Sequence, residues 1–165
     1  MARVVLVGLP GTGKSAVAKI VAESLSVPAV DTDRVLDTKL PGGVADYIVN
    51  FGEAPFRNEE LRTLKDALGT DVVVSTGGGI VELSEARVLL SPQVVVWLDA
   101  PDEALLPRVE RGARPLLGSD KATGLAALRM RRSSLYEEIS DFKIDCSAEV
   151  TEVAALVLAA IGAQP

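Results

Sequence analysis

The sequence predicts an α/β fold, a parallel β-sheet covered by helices on both faces. Three observations carry this expectation. Short β-branched runs recur along the chain, and most are continuously apolar, as strands covered on both faces must be. Segments with apolar residues at three- and four-residue spacing lie between them. The first run leads straight into a glycine-rich turn and then a helical pattern, a strand–turn–helix unit. Strands alternating with helices in this way build parallel sheets.

The runs cover 3–7 (RVVLV), 28–31 (PAVD), 71–75 (DVVVS), 94–99 (VVVWLD) and 142–145 (FKID). A helix after Lys14 is marked by Val17, Ile20, Val21 and Leu25, and a last one by Val153, Leu156, Val157, Ala160 and Ile161, with Gly162 as its C-cap. Ser84 and Asp102 are candidate N-caps for the helices between. Two stretches fit the alternation poorly. The first, about 34–62, reads as a helical insert. The second, about 112–124 (GARPLLGSDKATG), reads as a long loop, and long loops in small domains tend to be functional.

At 165 residues the chain fits one domain with a real core, and 48% hydrophobic against 4% aromatic residues makes that core aliphatic. A net charge of −6 argues against a broad nucleic-acid surface. There is no histidine, so a general base must be a carboxylate and a metal must be held by hard oxygen ligands. The lone Cys146 rules out an internal disulfide, suits a reducing cytoplasm, and reads as a small buried residue. The N-terminal apolar run is too short for a signal peptide or membrane span.

Gly8, Gly13, Lys14 and Ser15 form the pattern GxxxxGKS, placed after an apolar strand and before an apolar-periodic helix. Backbone N–H groups in such a loop wrap an anion, and the following helix adds the positive end of its dipole. The stretch Gly11, Thr12, Gly13, Lys14, Ser15 and Ala16 is therefore the expected nucleoside-triphosphate cradle, with Lys14 on the β and γ phosphates and Ser15 on Mg²⁺. At the end of the second run, Asp31 and Asp33 would project to one side of an extended chain. Asp31 is the metal-side carboxylate, because the third run ends in Ser75 and Thr76 rather than an aspartate. Asp33 either orients a hydroxyl or caps the next helix, and the two roles are compatible. Gly77, Gly78 and Gly79 would let a ligand approach the backbone. Arg57 could grip a carboxylate, whereas Arg129, Arg131 and Arg132 lie on a charged helical stretch. Arg114, in the loop, could meet a transferring phosphate.

The order GxxGxGKS, DTD, GE-x-x-FR-x-x-E, GGG, RPLL and R-x-x-LY, spanning about 4–145, closely resembles the shikimate kinase family. The resemblance implies a three-layer P-loop kinase fold with a central five-stranded parallel sheet. It also implies a shikimate-binding insert at about 34–62 and a lid at about 112–124. ATP and shikimate would be the substrates, with Mg²⁺ held by Ser15 and, through water, Asp31. Lys14, Asp33 and Arg114 would be catalytic. Arg57, Arg132, Gly78, Gly79 and Asp33 would bind shikimate. Arg108 matches the family's adenine-side arginine, with Arg111 as competitor. Three departures stand out: Glu149 replaces a frequent basic residue near the adenine, Ile48 replaces an aromatic of the acceptor pocket, implying a modestly weaker KM, and the lid is short. A monomer in the cytoplasm, independent of membrane and nucleic acid, is expected. A gluconate or nucleoside monophosphate kinase is the nearest rival, and a non-catalytic nucleotide-binding regulator the next.

Overall fold

The computed structural model describes residues 1–111 and 117–162. Five strands form one parallel sheet in the order β2-β3-β1-β4-β5: β1 (Val4–Val7), β2 (Ala29–Asp31), β3 (Val73–Ser75), β4 (Val95–Asp99) and β5 (Phe142–Asp145). All five runs expected from sequence are strands, the first four trimmed by one or two residues at their starts and the fifth unchanged. Val4, Val5, Leu6 and Val7 have no exposed surface, so helices cover β1 on both faces. Central β1 pairs on one side with β3 (Val5 opposite Val74) and on the other with β4 (Val5 opposite Val95).

Among the described residues the helices are α1 (Lys14–Leu25), α2 (Thr32–Lys39), α3 (Gly43–Phe51), α4 (Glu53–Leu68), α5 (Ser84–Leu90), α6 (Asp102–Glu110), α7 (Lys121–Ile139) and α8 (Val150–Gly162), plus a 3-10 turn at Gly78–Glu82. Helix α1 packs on α8, and α6 on α7. The aliphatic core runs from β1 through Val17 and Val21 of α1 to Val153 and Val157 of α8. A second, much smaller cluster joins Leu36, Leu40 and Phe56, with Val44, Tyr47 and Ile48 packed on it. It holds α2, α3 and the start of α4 together, and the rest of α4 enters the main core through Leu64, Ala67 and Leu68.

Several local expectations change. The 34–62 insert is three helices, but α2 already begins at Thr32, and its cap is Asp31, whose carboxylate accepts from the N–H of Asp33 (3.1 Å) and Arg34 (3.2 Å). Asp33 is therefore inside the first turn of the helix, neither capping it nor sharing an extended segment with Asp31. Ser84 and Asp102 are the first residues of their helices, and neither makes a capping hydrogen bond. Asp102 is engaged by Arg129 instead (2.7 Å). Leu156 faces solvent, because α8 turns Ala154 inward beside Val153 and Val157. Gly162 is the last helical residue rather than a left-handed cap. Residues 121–124, expected in the loop, form the first turn of α7, capped by Asp120. No described helix is long and apolar enough to cross a membrane.

Candidate active site

The carboxyl ends of parallel strands open onto a crevice where α/β proteins bind ligands. Here register does the positioning. Asp31 lies opposite Ser75, and Ser75 opposite Leu6, so three strand ends stand abreast. The chain leaves β1 into Gly8, where a β-carbon would come within 2.3 Å of the Leu98 carbonyl oxygen of β4. Only glycine lets the loop start this close to the sheet. Gly13 caps α1 with φ 81, turning the loop into the helix so that Lys14 and Ser15 are its first residues. The Lys14 ammonium donates to the carbonyls of Gly8 (2.8 Å) and Leu9 (3.0 Å) and to Thr12 Oγ1 (3.3 Å). It is thus folded over the loop that its charge would serve.

Ser15 Oγ donates to Asp31 Oδ2 at 2.5 Å and lies 3.4 Å from Ser75 Oγ. The cluster contains oxygen donors only, which suits a hard divalent cation. No group of three or more acidic, cysteine or histidine side chains that could hold a metal occurs among the described residues. An ion here would therefore draw further ligands from phosphate oxygens and water, as Mg²⁺ commonly does.

Two cavities adjoin at this edge. One, of about 340 Å³, is lined by Gly11, Gly13, Lys14, Ser15, Ala16, Asp31, Asp33, Thr76 and Arg108. The other, of about 420 Å³, is walled by Asp33, Ile48, Phe56, Arg57, the glycines 77–79 and Arg132, among others. Asp33 lines both. Its approach to the sheet explains Gly77: a β-carbon there would stand 2.4 Å from Asp33 Oδ1. The neighbouring glycines lie beside the two arginines with more room. Arg132 Nη1 lies 3.1 Å from where a Gly78 β-carbon would be. A Gly79 β-carbon would meet Arg132 Nη2 at 3.2 Å and Arg57 Nη1 at 3.5 Å. Two guanidiniums thus converge on one point of the pocket wall.

Helix patterning brings them there. In α4 the buried stripe is Phe56, Glu60, Thr63, Leu64 and Ala67, and Arg57 sits at its edge with Nη1 on Glu60 (2.6 Å) and Nη2 on Glu53 (3.1 Å). Burial raises the Glu60 carboxyl above its usual range, and Arg57 offsets this only in part. In α7 the buried stripe is Leu125, Leu128, Arg132 and Tyr136. Arg132 therefore occupies an apolar position of its helix, a periodicity signal that separates it from its neighbours. Arg129 is spent on Asp99 (2.8 Å) and Asp102, and Arg131 is exposed.

On the other side, Arg108 donates to the carbonyls of Cys146 (2.9 Å), Ser147 (3.2 Å) and Gly11 (3.4 Å). It ties the loop after β5 to the phosphate loop. Cys146 is buried, and burial pushes its thiol up to about 11, which leaves it inert at neutral pH. Arg114 lies outside the described residues with the rest of 112–116, whereas 117–120 of the expected lid precede α7 and 121–124 open it. Sequence reasoning did not single out Gly77 or Glu82. The first was visible only as part of a glycine run. The second pairs with Arg132 across 50 positions, which no periodicity reveals.

Residues 10–162 match the family described as shikimate kinase. A shikimate kinase of Corynebacterium jeikeium is 39% identical over 149 residues, covering 89% of this chain and 80% of that protein. One of Staphylococcus epidermidis is 36% identical over 156 residues, covering 93% and 92%. Among solved structures, the shikimate kinase from Acinetobacter baumannii in complex with shikimate matches with a TM-score of 0.88 at 30% identity, over 96% of this chain and 91% of that one. A family match over nearly the whole chain, joined to the phosphate loop, the Asp33 wall and the converging arginines, leads to one conclusion: the chain belongs to the shikimate kinase family.

Proposed function

We propose that the protein transfers the γ-phosphoryl group of ATP to the 3-hydroxyl of shikimate, giving shikimate 3-phosphate and ADP. The observation that carries this reading is that Asp33 walls two adjoining cavities, one built around a phosphate loop and one around two guanidiniums. A kinase needs this arrangement, because donor and acceptor must meet in line over one short gap.

The donor side is the backbone of Gly11, Thr12, Gly13 and Ala16 with Lys14, which swings from the loop carbonyls to the phosphates. Ser15 and Asp31 would hold Mg²⁺, which when bound offsets phosphate charge. Arg108 stands on the adenine side. On the acceptor side Arg57 and Arg132 hold the shikimate carboxylate by paired charge-assisted hydrogen bonds. Gly78 and Gly79 border the ring, and Ile48 and Phe56 pack against it. Asp33 orients the 3-hydroxyl. The hydroxyl oxygen bonds to the γ-phosphorus as the bond to the bridging oxygen of ADP breaks, and Asp33 takes the hydroxyl proton late in the transfer. By the family resemblance, Arg114 neutralises the transferring group. The protein works as a monomer in the reducing cytoplasm.

The test is ADP release with ATP and Mg²⁺ across a panel of acceptors. Release with shikimate, and none with gluconate or AMP, is expected. Release with another acceptor alone would overturn the assignment of Arg57 and Arg132. ATP binding without release for any acceptor would mark a regulator instead.

A further inference from the structure

The guanidinium of Arg132 is buried, with 3% of the residue exposed, on the apolar stripe of α7. A buried cation is tolerated only when paired and hydrogen-bonded. Its Nε donates to Oε1 of Glu82 at 2.6 Å. Glu82 closes the 3-10 turn that opens at Gly78, so its carboxylate and the glycine wall of the pocket belong to one short rigid segment. The Tyr136 hydroxyl, one turn further along α7, donates to the Gly78 carbonyl at 2.7 Å and ties helix and turn together a second time. Arg131 also reaches Glu82 (2.8 Å), from the solvent side.

A guanidinium is a rigid plane with five N–H donors. Holding Nε from one side fixes where Nη1 and Nη2 point. Both lie over Gly78 and Gly79, on the wall of the acceptor cavity and beside Nη1 of Arg57. We propose that Glu82 is a positioning residue for acceptor recognition: by gripping Arg132 through Nε, it presents the two terminal nitrogens to the acceptor carboxylate in the plane that a bidentate contact requires. The inference rests on the reading of Arg132 as a shikimate-carboxylate group. It differs from a counter-ion role, which would affect stability and leave acceptor binding unchanged.

The test is steady-state ADP release as a function of shikimate and of ATP, with thermal unfolding measured on the same samples. The proteins are wild type, Glu82→Ala, Glu82→Gln, Glu82→Asp, Arg132→Ala and the Glu82→Ala/Arg132→Ala double variant. Loss of a fixed orientation is worth roughly 5- to 20-fold in KM for shikimate in Glu82→Ala. KM for ATP should stay within about twofold and kcat within about threefold, the signature of a binding contact common to ground and transition states. Glu82→Gln keeps an oxygen for Nε and should recover a large part of the KM. Glu82→Ala should add no more than about twofold to Arg132→Ala, because the two residues act through one contact. A Glu82→Ala variant that melts earlier yet keeps the wild-type KM would overturn the positioning role. So would an equal KM rise in the Arg132→Ala background. If Glu82→Ala does not fold, Glu82→Asp decides: its shorter reach should raise KM, and an unchanged KM overturns the inference. Wild-type protein without shikimate-dependent release would overturn the functional reading itself, an outcome distinct from normal turnover with unaltered KM in the variants.

Discussion

The two ends of the crevice are built in different ways. The phosphate loop grows out of β1, whose four residues are fully buried, and its shape is set by backbone against backbone. The acceptor end rests on α2 and α3, whose private core is Leu36, Leu40 and Phe56, and α3 has no fully buried residue. Val49 and Phe51 of α3 are 83% and 56% exposed. Ion pairs flank this end. Lys39 meets Glu59 across α2 and α4 (3.0 Å), Arg57 meets Glu60, and Arg132 meets Glu82. The difference teaches that a rigid frame can bind an invariant phosphate chain through main-chain groups. The acceptor end joins a thinner frame, at Ile48 and Phe56, to Arg132 and the glycine turn, which stand on the main core.

Substitutions should separate the two ends, and the largest effect belongs to the frame. Leu6→Ala in β1 should lower unfolding free energy by about 2–5 kcal/mol, whereas Ile48→Ala, half-buried in the small cluster, should cost well under that and act on shikimate KM. Chemical denaturation and kinetics on both variants check this, and equal destabilisation would erase the contrast. Lys14→Ala should lower kcat by roughly 10²- to 10³-fold through loss of one preorganised charge, with unfolding little changed. Asp33→Asn should retain ATP binding, measured by calorimetry, and lose turnover by roughly 10²-fold or more. An active Asn variant would remove Asp33 from the chemistry. Arg132→Ala should raise shikimate KM roughly 10- to 100-fold and leave ATP binding intact. A fall in ATP affinity would put Arg132 at the wrong end.

The smallest effect is in pH. Burial opposes ionisation of Glu82, but Arg131 and Arg132 outweigh it and hold the carboxyl below its usual range. A lowered carboxyl stabilises the fold above its unfolded value, near 4.5, and loses that contribution as pH falls through the folded value. The melting-temperature gap between wild type and Glu82→Gln should therefore be widest above about pH 4.5 and close below it. Glu60 has the opposite slope, because its carboxyl is raised and its contribution declines as pH rises.

What the sequence revealed follows the same division. The five strands and the phosphate loop were legible, because apolar runs and glycine spacing encode backbone directly. The α2 boundary was not. The D-T-D segment offers two carboxylates as caps, and only the turn of the chain at Thr32 selects Asp31. Arg57 and Arg132 were legible through the family pattern, and Arg132 also by its place on the stripe between Leu128 and Tyr136. The partners that hold them were less so. Glu60 sits one helical turn from Arg57, but Glu82 comes from a turn far off in sequence and meets Arg132 only in the folded chain.

The measurement that tests the central claim most directly is the identity of the product. Wild-type protein, ATP, Mg²⁺ and shikimate would be followed by ³¹P–¹H correlation. The account predicts a new phosphorus signal coupled to the proton on carbon 3, the position whose hydroxyl Asp33 is proposed to orient from the wall shared by the two cavities. Coupling to the proton of another ring carbon, or inorganic phosphate as the only product, would contradict it.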